Sequence, residues 1–360
     1  MKRSTALLLS ACALPLALAF TAPKTTVSFA PAEGTALKKT FTNEVDMSLD
    51  DMSMSMNGEE MPVEIEMEMS VTSLTTTTVA DEYIEMGDGA PLKLKRSYED
   101  IGSTTSMSME ISVMGNDQSQ DEDLDSSSEL EGQTVIFEMD KEAGGFKASF
   151  PEDAEGDEEL LTGLEENMDF RALLPDGDVS VDDEWEIAVS ELTGVLTPGG
   201  DLKLIPEDMT PEMQQMMGGM GGSGMGSMND WLQDEIEGTA SGKFAGMREV
   251  DGANLALIEI TLSINTAVDM TDKVMEQMDE MPMPQGAEVE FDHLDLEFEM
   301  EAKGQLFWNI KSGHFHSFEM TGSTSIVVDS GMAMNMGGEE MTIENAVEMS
   351  GTITMGASAE

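Results

Sequence analysis

Methionine is the residue type in this chain with the clearest capacity for chemistry, since it makes up 35 of the 360 residues. A thioether sulfur is a soft ligand that favours Cu(I), and the same side chain also packs as a flexible apolar group. Methionines stand at alternate positions near each end of the chain, which places each set on one face of a predicted β-hairpin. The first set is Met52, Met54, Met56 and Met61, and the second is Met332, Met334, Met336 and Met341. Each face could pack against a core, hold a soft metal, or present an adaptable apolar surface to a ligand.

A third group of methionines lies in a Met/Gly-rich tract within residues 205–230. The glycines leave the sulfur atoms mobile, so this tract is the better candidate for a soft-metal site. A flexible linker or a short packed helix is the simpler interpretation, and an exposed cluster could also absorb oxidants by reversible sulfoxide formation. The candidate Cu(I) ligands are Met209, Met213, Met216, Met217, Met220, Met225 and Met228.

Other residues that could do chemistry are scarce or unspecifically placed. His314 and His316 alternate on a predicted strand and could chelate a metal with His293, although a surface pair is the simpler interpretation. The acidic run from Asp121 to Asp125 could bind calcium weakly, but it lacks the Gly and the final Glu of an EF-hand loop, so solvated charge explains it better. No nucleophile elbow, P-loop, dinucleotide fingerprint or zinc spacing occurs. We therefore predict no enzyme and no cofactor.

Charge is the second strong property of the chain, with 73 acidic and 17 basic residues and a formal net charge of −56. Such a field repels nucleic acid and anionic lipid surfaces, which excludes a nucleic-acid function. It would be best screened in salty surroundings, so a marine or saline habitat is a reasonable hypothesis. Hydrophobic residues make up 40% of the chain and alternate regularly, which favours a folded chain over disorder.

The N-terminus has the pattern of a secretory signal peptide over residues 1–19. Lys2 and Arg3 precede an apolar segment that ends in Ala17-Leu18-Ala19, so we expect cleavage after Ala19. This predicts export to the periplasm or the extracellular space. Leu9-Ser10-Ala11-Cys12 also matches a bacterial lipobox, so a lipid anchor on Cys12 is the alternative. No later apolar run approaches the ~20 residues that span a bilayer, so no transmembrane segment is predicted after the signal peptide.

The elements that position the first methionine set are predicted to be two antiparallel strands. Asn57-Gly58 predicts a type I′ turn between them. Apolar residues of the incoming strand occupy odd positions up to Leu49 and even positions from Met52. One extra residue at Asp50-Asp51 restores the phase, as a β-bulge does.

Alternation elsewhere predicts a mainly β fold, a curved antiparallel sheet or half-open barrel with one to three short helices. Helices are predicted at residues 158–168 and 268–280, and the acidic residues 116–132 are predicted to form a solvated loop. Trp185 is predicted to be buried on a short strand. Further strands are predicted at residues 75–86, 92–98, 106–113, 134–139, 146–150, 243–250, 253–264, 294–300, 306–310, 315–320, 325–336 and 341–355.

The predicted organisation after the signal peptide is a pair of β lobes separated by an insertion. Residues 20–200 form the N-terminal β lobe, and residues 201–234 form the Met/Gly-rich insertion. Residues 235–360 form a C-terminal β lobe that we assign to the same domain.

Several features together resemble a family of uncharacterised exported bacterial all-β proteins. The resemblance lies in the methionine hairpin of residues 52–69, in Leu173-Leu174-Pro175 followed by Val179-x-Val181-x-x-x-Trp185, in the hairpin at Val250-Asp251-Gly252, and in the strands after Leu306. Some such families resemble half-open β-barrel carriers of lipoproteins and lipids, which implies an apolar cavity covered by helices. Asp182-Asp183 stand where the family usually has Gly before the Trp. The resemblance implies no functional residues.

The expected function is that of an exported, acidic, non-enzymatic β protein that binds an apolar ligand or an envelope partner. Its Met-rich face would point inward and its acidic face outward. The alternative is a periplasmic soft-metal protein that binds Cu(I) through its methionine clusters.

Overall fold

The structure is a computed structural model that describes residues 24–60, 65–113, 116–154, 156–207, 237–271, 274–275, 287–336 and 339–360. Within these residues, fourteen strands form one sheet in which every pair of neighbours is antiparallel. Helical structure in this part of the chain comprises one short α-helix, three 3₁₀ turns and the helical residues 271 and 274–275. These findings confirm the prediction of a mainly β fold on a curved antiparallel sheet. The sheet of the described strands does not close into a barrel.

Most of the strands are much longer than the about five or six residues that are typical of globular proteins. Their bounds are β1 (Ala36–Met56), β2 (Glu59–Glu60), β3 (Ile65–Met86), β4 (Pro91–Val113), β5 (Asn116–Ser128), β6 (Thr134–Asp140), β7 (Gly145–Ser149), β8 (Glu184–Ile187), β9 (Leu204–Pro206), β10 (Gly238–Val250), β11 (Ala253–Asp269), β12 (Ala287–Asn309), β13 (His314–Met336) and β14 (Glu339–Ala359). The α-helix α1 is Thr193–Leu196, and the 3₁₀ turns are Glu158–Leu161, Arg171–Leu173 and Val189–Glu191.

The sheet is a meander in which the first and last long strands meet in the middle. The strand order is β7-β6-β4-β3-β1-β14-β13-β12-β11-β10-β8, with β2 paired to β1 and with β5 paired to both β4 and β9. Because β1 pairs with β14, segments from both predicted lobes contribute to one sheet. The lobe boundaries themselves stay a prediction.

Several predicted strands are continuous with one another because bulges keep their apolar residues in phase. Predicted strands 92–98 and 106–113 are both part of β4, where the β3–β4 register skips Glu99. Bulges of the same kind occur in β12 and β13, where the register skips Asp292 and His316. Each extra residue returns the alternation to the same face, so a strand of more than twenty residues keeps one apolar side.

The buried core occupies one end of the long strands, on the side of the sheet that we call the inner face. Residues 24–30, 156–181 and 189–203 contribute side chains to the core on this face, and we call 156–181 with 189–203 the crossing segment. Phe170 from the crossing segment packs edge-on against Phe315, with ring centroids 5.0 Å apart, and lies 4.5 Å from Phe318. Trp308 is fully buried, and its indole N–H donates to the Ser28 carbonyl at 3.2 Å.

Three sequence predictions about helices and loops need correction. The helix predicted over residues 158–168 is only the 3₁₀ turn Glu158–Leu161, because Gly163 adopts φ +78° and Leu164 then bridges to Gly200. The loop predicted over residues 116–132 is mostly strand β5, whose acidic side chains pair with hydroxyl groups of β4.

The third correction concerns the helix predicted over residues 268–280. β11 continues through Asp269, and helical structure begins only after it, with Val274 N–H donating to the Met270 carbonyl at 3.0 Å. The remainder of that prediction lies outside the described residues. Trp185 lies on β8 as predicted, but it is partly rather than fully buried, and it covers Gly242 of β10.

Candidate functional site

The two methionine hairpins predicted from the sequence lie side by side in the middle of the sheet. In the observed register, Ile343 of β14 lies between Met56 of β1 and Met332 of β13. Asn57 and Gly58 have φ of +53° and +73°, the positive values that a type I′ turn requires. The repeated motif therefore builds one surface from the two ends of the chain.

A β-bulge at Asp50 keeps these methionines on the inner face. The β1–β14 register shifts between Leu49 and Asp51, so Asp50 is the extra residue. Before the bulge odd-numbered residues such as Met47 point inward, and after it even-numbered residues such as Met52 do. The bulge predicted from the change of phase is confirmed.

Beyond the core, the inner face continues as an apolar band that we call the Met-bearing face. Opposite residues in the ladder carry methionine or aliphatic side chains, as where Met69 of β3 faces Met109 of β4 and Met52 of β1 faces Val347 of β14. None of the members belongs to the buried core cluster of the described residues. The Met-bearing face consists of Met52, Met54, Met56, Met67, Met69, Met107, Met109, Leu294, Leu296, Val328, Met332, Ile343, Val347 and Met349.

Exposure separates these methionines from those that pack the core. Met300, Met320 and Met355 are 2%, 2% and 4% exposed and fill the core as flexible apolar groups. Met54 and Met56 are 36% and 38% exposed. The interpretation of methionine as buried packing therefore holds at the core end of the strands and is wrong at the hairpin tip. A partly exposed band of apolar side chains is the kind of surface that binds ligands or partners.

The outer face of the same region is polar, and its carboxylates are engaged by neighbouring strands. The outward carboxylates of β5 accept hydrogen bonds from hydroxyl groups of β4, at 2.7 Å for Ser108 to Asp121, 2.6 Å for Ser106 to Asp123 and 2.9 Å for Thr104 to Asp125. Strand alternation turns Glu122 to the opposite face. Among the described residues, no three His, Cys, Asp or Glu side chains are grouped to hold a metal ion.

The three histidines do not form a common site. His314 begins β13, whereas His293 lies 16 positions before the partner residue Asn309 along β12, a separation of about 50 Å at the rise of a strand. His293 Nε2 lies 3.4 Å from Asp329 Oδ1. The pKa of the His314 imidazole is lowered, mainly by burial. The Phe315 carbonyl, 2.6 Å from Nδ1, acts in the opposite direction but is outweighed. The chelating set considered from the sequence is therefore excluded.

A network of fully buried charges at the core end was not expected from the sequence. Arg96 of β4 donates to Asp81 of β3 through Nε and Nη2, at 2.8 and 2.9 Å. Lys39 of β1 bridges Asp81, at 2.7 Å, and Asp169 of the crossing segment. Tyr83 completes the network by donating to Asp169 at 2.5 Å. Charges on three adjacent strands thus attach the crossing segment to the sheet.

The same network continues into the crossing segment through Glu166 and Arg171. Arg171 Nη1 donates to Glu166 Oε1 at 2.8 Å, and Arg96 Nη2 donates to the Glu166 carbonyl at 2.9 Å. Three cations and three carboxylates therefore balance one another. Lys39, Arg96 and Asp169 are each 0% exposed, so solvent does not screen these pairs.

Burial and charge act in opposite directions on the carboxyl groups of this network. Burial alone would raise the pKa of Asp81, but Arg96 and Lys39 outweigh it and lower that pKa from 3.8 to about 2. Burial raises the pKa of Glu166 and exceeds the lowering effect of Arg171. Only the strand alternation could have signalled the network, because Lys39, Asp81 and Arg96 occupy inward positions of their strands.

Some predicted site residues cannot be placed. Met61 and the seven Cu(I) candidates from Met209 to Met228 lie outside the described residues. The pocket found beside Leu74, Thr76 and Thr104, of about 240 Å³, lies on the outer face and not against the Met-bearing face. No helix in the described part of the chain is long and apolar enough to cross a bilayer.

Comparison with known proteins does not assign the chain to a family. No protein-family model matches it, and no curated protein matches it. Among solved structures, the chain matches an outer membrane channel from Pseudomonas putida F1 at 8% identity, covering 92% of this chain and 97% of that one, with a TM-score of 0.19. A TM-score this low establishes no shared fold.

Proposed function

We propose that this protein is an exported, non-enzymatic binding protein that takes an apolar or amphipathic ligand on its Met-bearing face. The observation that carries the proposal is the continuation of the apolar inner face past the core, where Met54 and Met56 are 36% and 38% exposed. Strands of this length are unnecessary for the core alone. Their distal halves hold an apolar surface away from the packed end.

Methionine suits such a surface better than an aliphatic residue would. Its unbranched thioether side chain has three rotatable bonds, so a face built from it adapts to ligands of different shape. The backbone beneath it is rigid, because β14 is hydrogen-bonded to β1 on one side and to β13 on the other. Mobile side chains on a fixed ladder give broad apolar recognition without a preformed cavity.

The test measures binding of the neutral fluorescent probe N-phenyl-1-naphthylamine to the purified full chain. Replacing Met52, Met54 and Met107 together by Gln is expected to weaken probe binding at least tenfold, because each substitution places an amide on the apolar band. Leu74→Gln is the matched control, since Leu74 is 45% exposed on the outer face of β3. Unchanged binding in the triple variant, with circular dichroism confirming its fold, would refute the proposal.

Soft-metal binding is the second candidate function, favoured by the cross-strand pair Met69 and Met109. Directly opposite residues of an antiparallel pair have Cα atoms about 4.5–5.5 Å apart, so two thioethers can reach one ion. Met69→Leu with Met109→Leu removes sulfur but keeps the surface apolar. If this pair binds Cu(I), titration against a competing chelator is expected to show at least tenfold weaker affinity in the double variant, with probe binding unchanged. Equal Cu(I) affinity in the variant and in the unaltered chain would exclude this pair as ligands.

A further inference from the structure

Charge on the long strands is segregated in a way that neither the core nor the methionines explain. No lysine or arginine occurs in residues 40–92, 97–140, 274–302 or 312–360. These ranges contain the whole Met-bearing face and the outer face behind it. The lysines and arginines of the long strands, such as Lys39, Lys95 and Arg96, lie instead at the core end.

The acidic residues around the Met-bearing face therefore lack basic partners on their own strands. Strand alternation turns Asp51, Glu344 and Glu348 to the outer side of the same strands, behind the methionines, and places Glu122 of β5 opposite Met107 on the inner side. Among the described ion pairs, only His293 with Asp329 lies in this half of the sheet. The ion pairs that involve lysine or arginine lie at the core end or in the connecting segments. The distal half is thus an apolar band in an uncompensated negative field.

The field restricts what can occupy the band. A second copy of this chain would bring an equal negative field against it, and anionic lipid headgroups or fatty acids would be repelled in the same way. A partner with positive charge around an apolar stripe would be attracted and would relieve the repulsion among the carboxylates. Charge complementarity therefore selects a cationic amphiphile.

The dimensions of the band favour a helical segment over a small molecule. The band crosses six neighbouring strands in the order β4-β3-β1-β14-β13-β12. At a spacing of about 4.8 Å they give a width of about 24 Å, and about seven residues along each strand give a length of about 23 Å. A helix of about 16 residues has the same length. β14 and β13 are hydrogen-bonded on both sides, so their backbone offers no free edge for an added strand.

One buried acceptor in the face also suits a donor-rich partner. Asn345 of β14 lies between Met54 of β1 and Ser330 of β13, on the inward side. Its side-chain oxygen is buried and has no hydrogen-bond partner among the described residues. The methionine beside it is the partly exposed Met54, whose unbranched side chain can change rotamer, so a donor that displaces it reaches the oxygen.

We propose that the Met-bearing face binds a cationic amphipathic helix of a partner protein, with the apolar stripe of the helix on the methionines and its lysines or arginines attracted by Glu122 and by the negative field of the distal strands. This inference rests on the proposed function, since it names the ligand class of the same surface. The area of the band, about 550 Å² by the dimensions above, is below the ~800 Å² per partner of a standard stable interface, so the complex is expected to be transient.

The experiment compares two fluorescent 16-residue peptides that share one apolar stripe and carry either Lys or Glu on the polar face. Fluorescence anisotropy with the purified full chain is expected to show binding of the Lys peptide, weakened at least tenfold between 50 and 500 mM salt because the attraction is screened. The Glu peptide is expected not to bind. Met54→Gln with Met56→Gln is expected to weaken the Lys peptide at least fivefold, whereas Leu74→Gln leaves it unchanged.

The outcomes distinguish this inference from the proposed function. Equal binding of both peptides, or binding of the Lys peptide that the methionine substitutions do not alter, would overturn the selection of a cationic helix at this face. Binding of the neutral probe without binding of either peptide would also overturn it, while leaving the proposed function standing. If the unaltered chain binds neither the probe nor the Lys peptide, both the proposed function and this inference are refuted.

Discussion

Asp81→Asn is expected to lower the free energy of unfolding by about 3–5 kcal/mol, the usual effect of removing one partner from a buried ion pair. Asp81 accepts two hydrogen bonds from Arg96 and one from Lys39, and all three side chains are fully buried. An asparagine of the same shape would leave the guanidinium of Arg96 without a counter-charge in a site that water does not reach. Urea unfolding followed by circular dichroism measures the difference.

Two further variants test whether the lost stability comes from the unpaired buried charge. Glu82→Gln removes the neighbouring outward carboxylate, whose contact with Lys95 is 3.4 Å and half exposed, and is expected to change stability by no more than about 0.5 kcal/mol. Replacing Asp81 by Leu and Arg96 by Met together is expected to restore most of the lost stability, because both charges leave the interior. A single Asp81→Asn variant as stable as the unaltered chain would contradict the assignment of this network as a structural attachment.

The lowered pKa of Asp81 makes the stability of the protein depend on pH. That pKa is lowered from 3.8 unfolded to about 2 folded, so the contribution of this carboxyl is complete above about pH 4 and is lost as the pH falls toward 2. The loss amounts to roughly 2 kcal/mol. Glu166, whose pKa is raised, acts with the opposite sign. The difference between the pH profiles of the unaltered chain and the Asp81→Asn variant therefore isolates Asp81 and is expected to shrink below pH 4.

Gly351→Ala is expected to destabilise the protein by about 1–3 kcal/mol, the cost of overpacking a tight site. A Cβ at this position of β14 would lie 1.8 Å from the carbonyl oxygen of Asp46 on β1. The two strands could accommodate it only by separating, and their pairing joins the two ends of the chain. Thermal or urea unfolding would show the effect as a single earlier transition.

Gly102→Ala is the matched control, since it is also a strand glycine but a Cβ there meets its nearest atom at 3.7 Å. Alanine should change stability little at that position. Because the Met-bearing face spans β1 and β14, Gly351→Ala is also expected to weaken ligand binding there, whereas Gly102→Ala is not. Equal stability of the two variants would show that the β1–β14 contact tolerates a wider spacing than the structure has.

Local alternation was sufficient to predict much of this fold. The phase change between Leu49 and Met52 located the bulge, and the positive-φ pairs Asn57-Gly58 and Asp251-Gly252 lie where hairpin turns were predicted. These features depend on neighbouring residues, so a sequence read in order contains them. The helix predicted over residues 158–168 failed because Gly163 and the bridge from Leu164 to Gly200 override a local apolar spacing.

The sequence predicted the shared face of the methionines but not its exposure, because exposure depends on distant parts of the chain. The period of two placed the methionines on one face, but it could not tell whether that face would be covered. Coverage depends on the crossing segment, which packs on the core end of the sheet and leaves the Met-bearing face outside the core cluster. The charged network was missed because Lys39 and Asp169 are 130 residues apart and each alone resembles a surface charge.

The sequence by itself determined most of the antiparallel strands, the shared face of the methionines on each hairpin, and the absence of basic residues around them. These follow from a two-residue period and from composition, which need no knowledge of distant contacts. Only the tertiary structure decided that β1 and β14 are neighbours, which merges the two methionine hairpins into one surface. It also decided which end of the strands is buried, because long-range packing and the ion pairs of Asp81 and Asp169 attach the crossing segment to one end of the sheet alone.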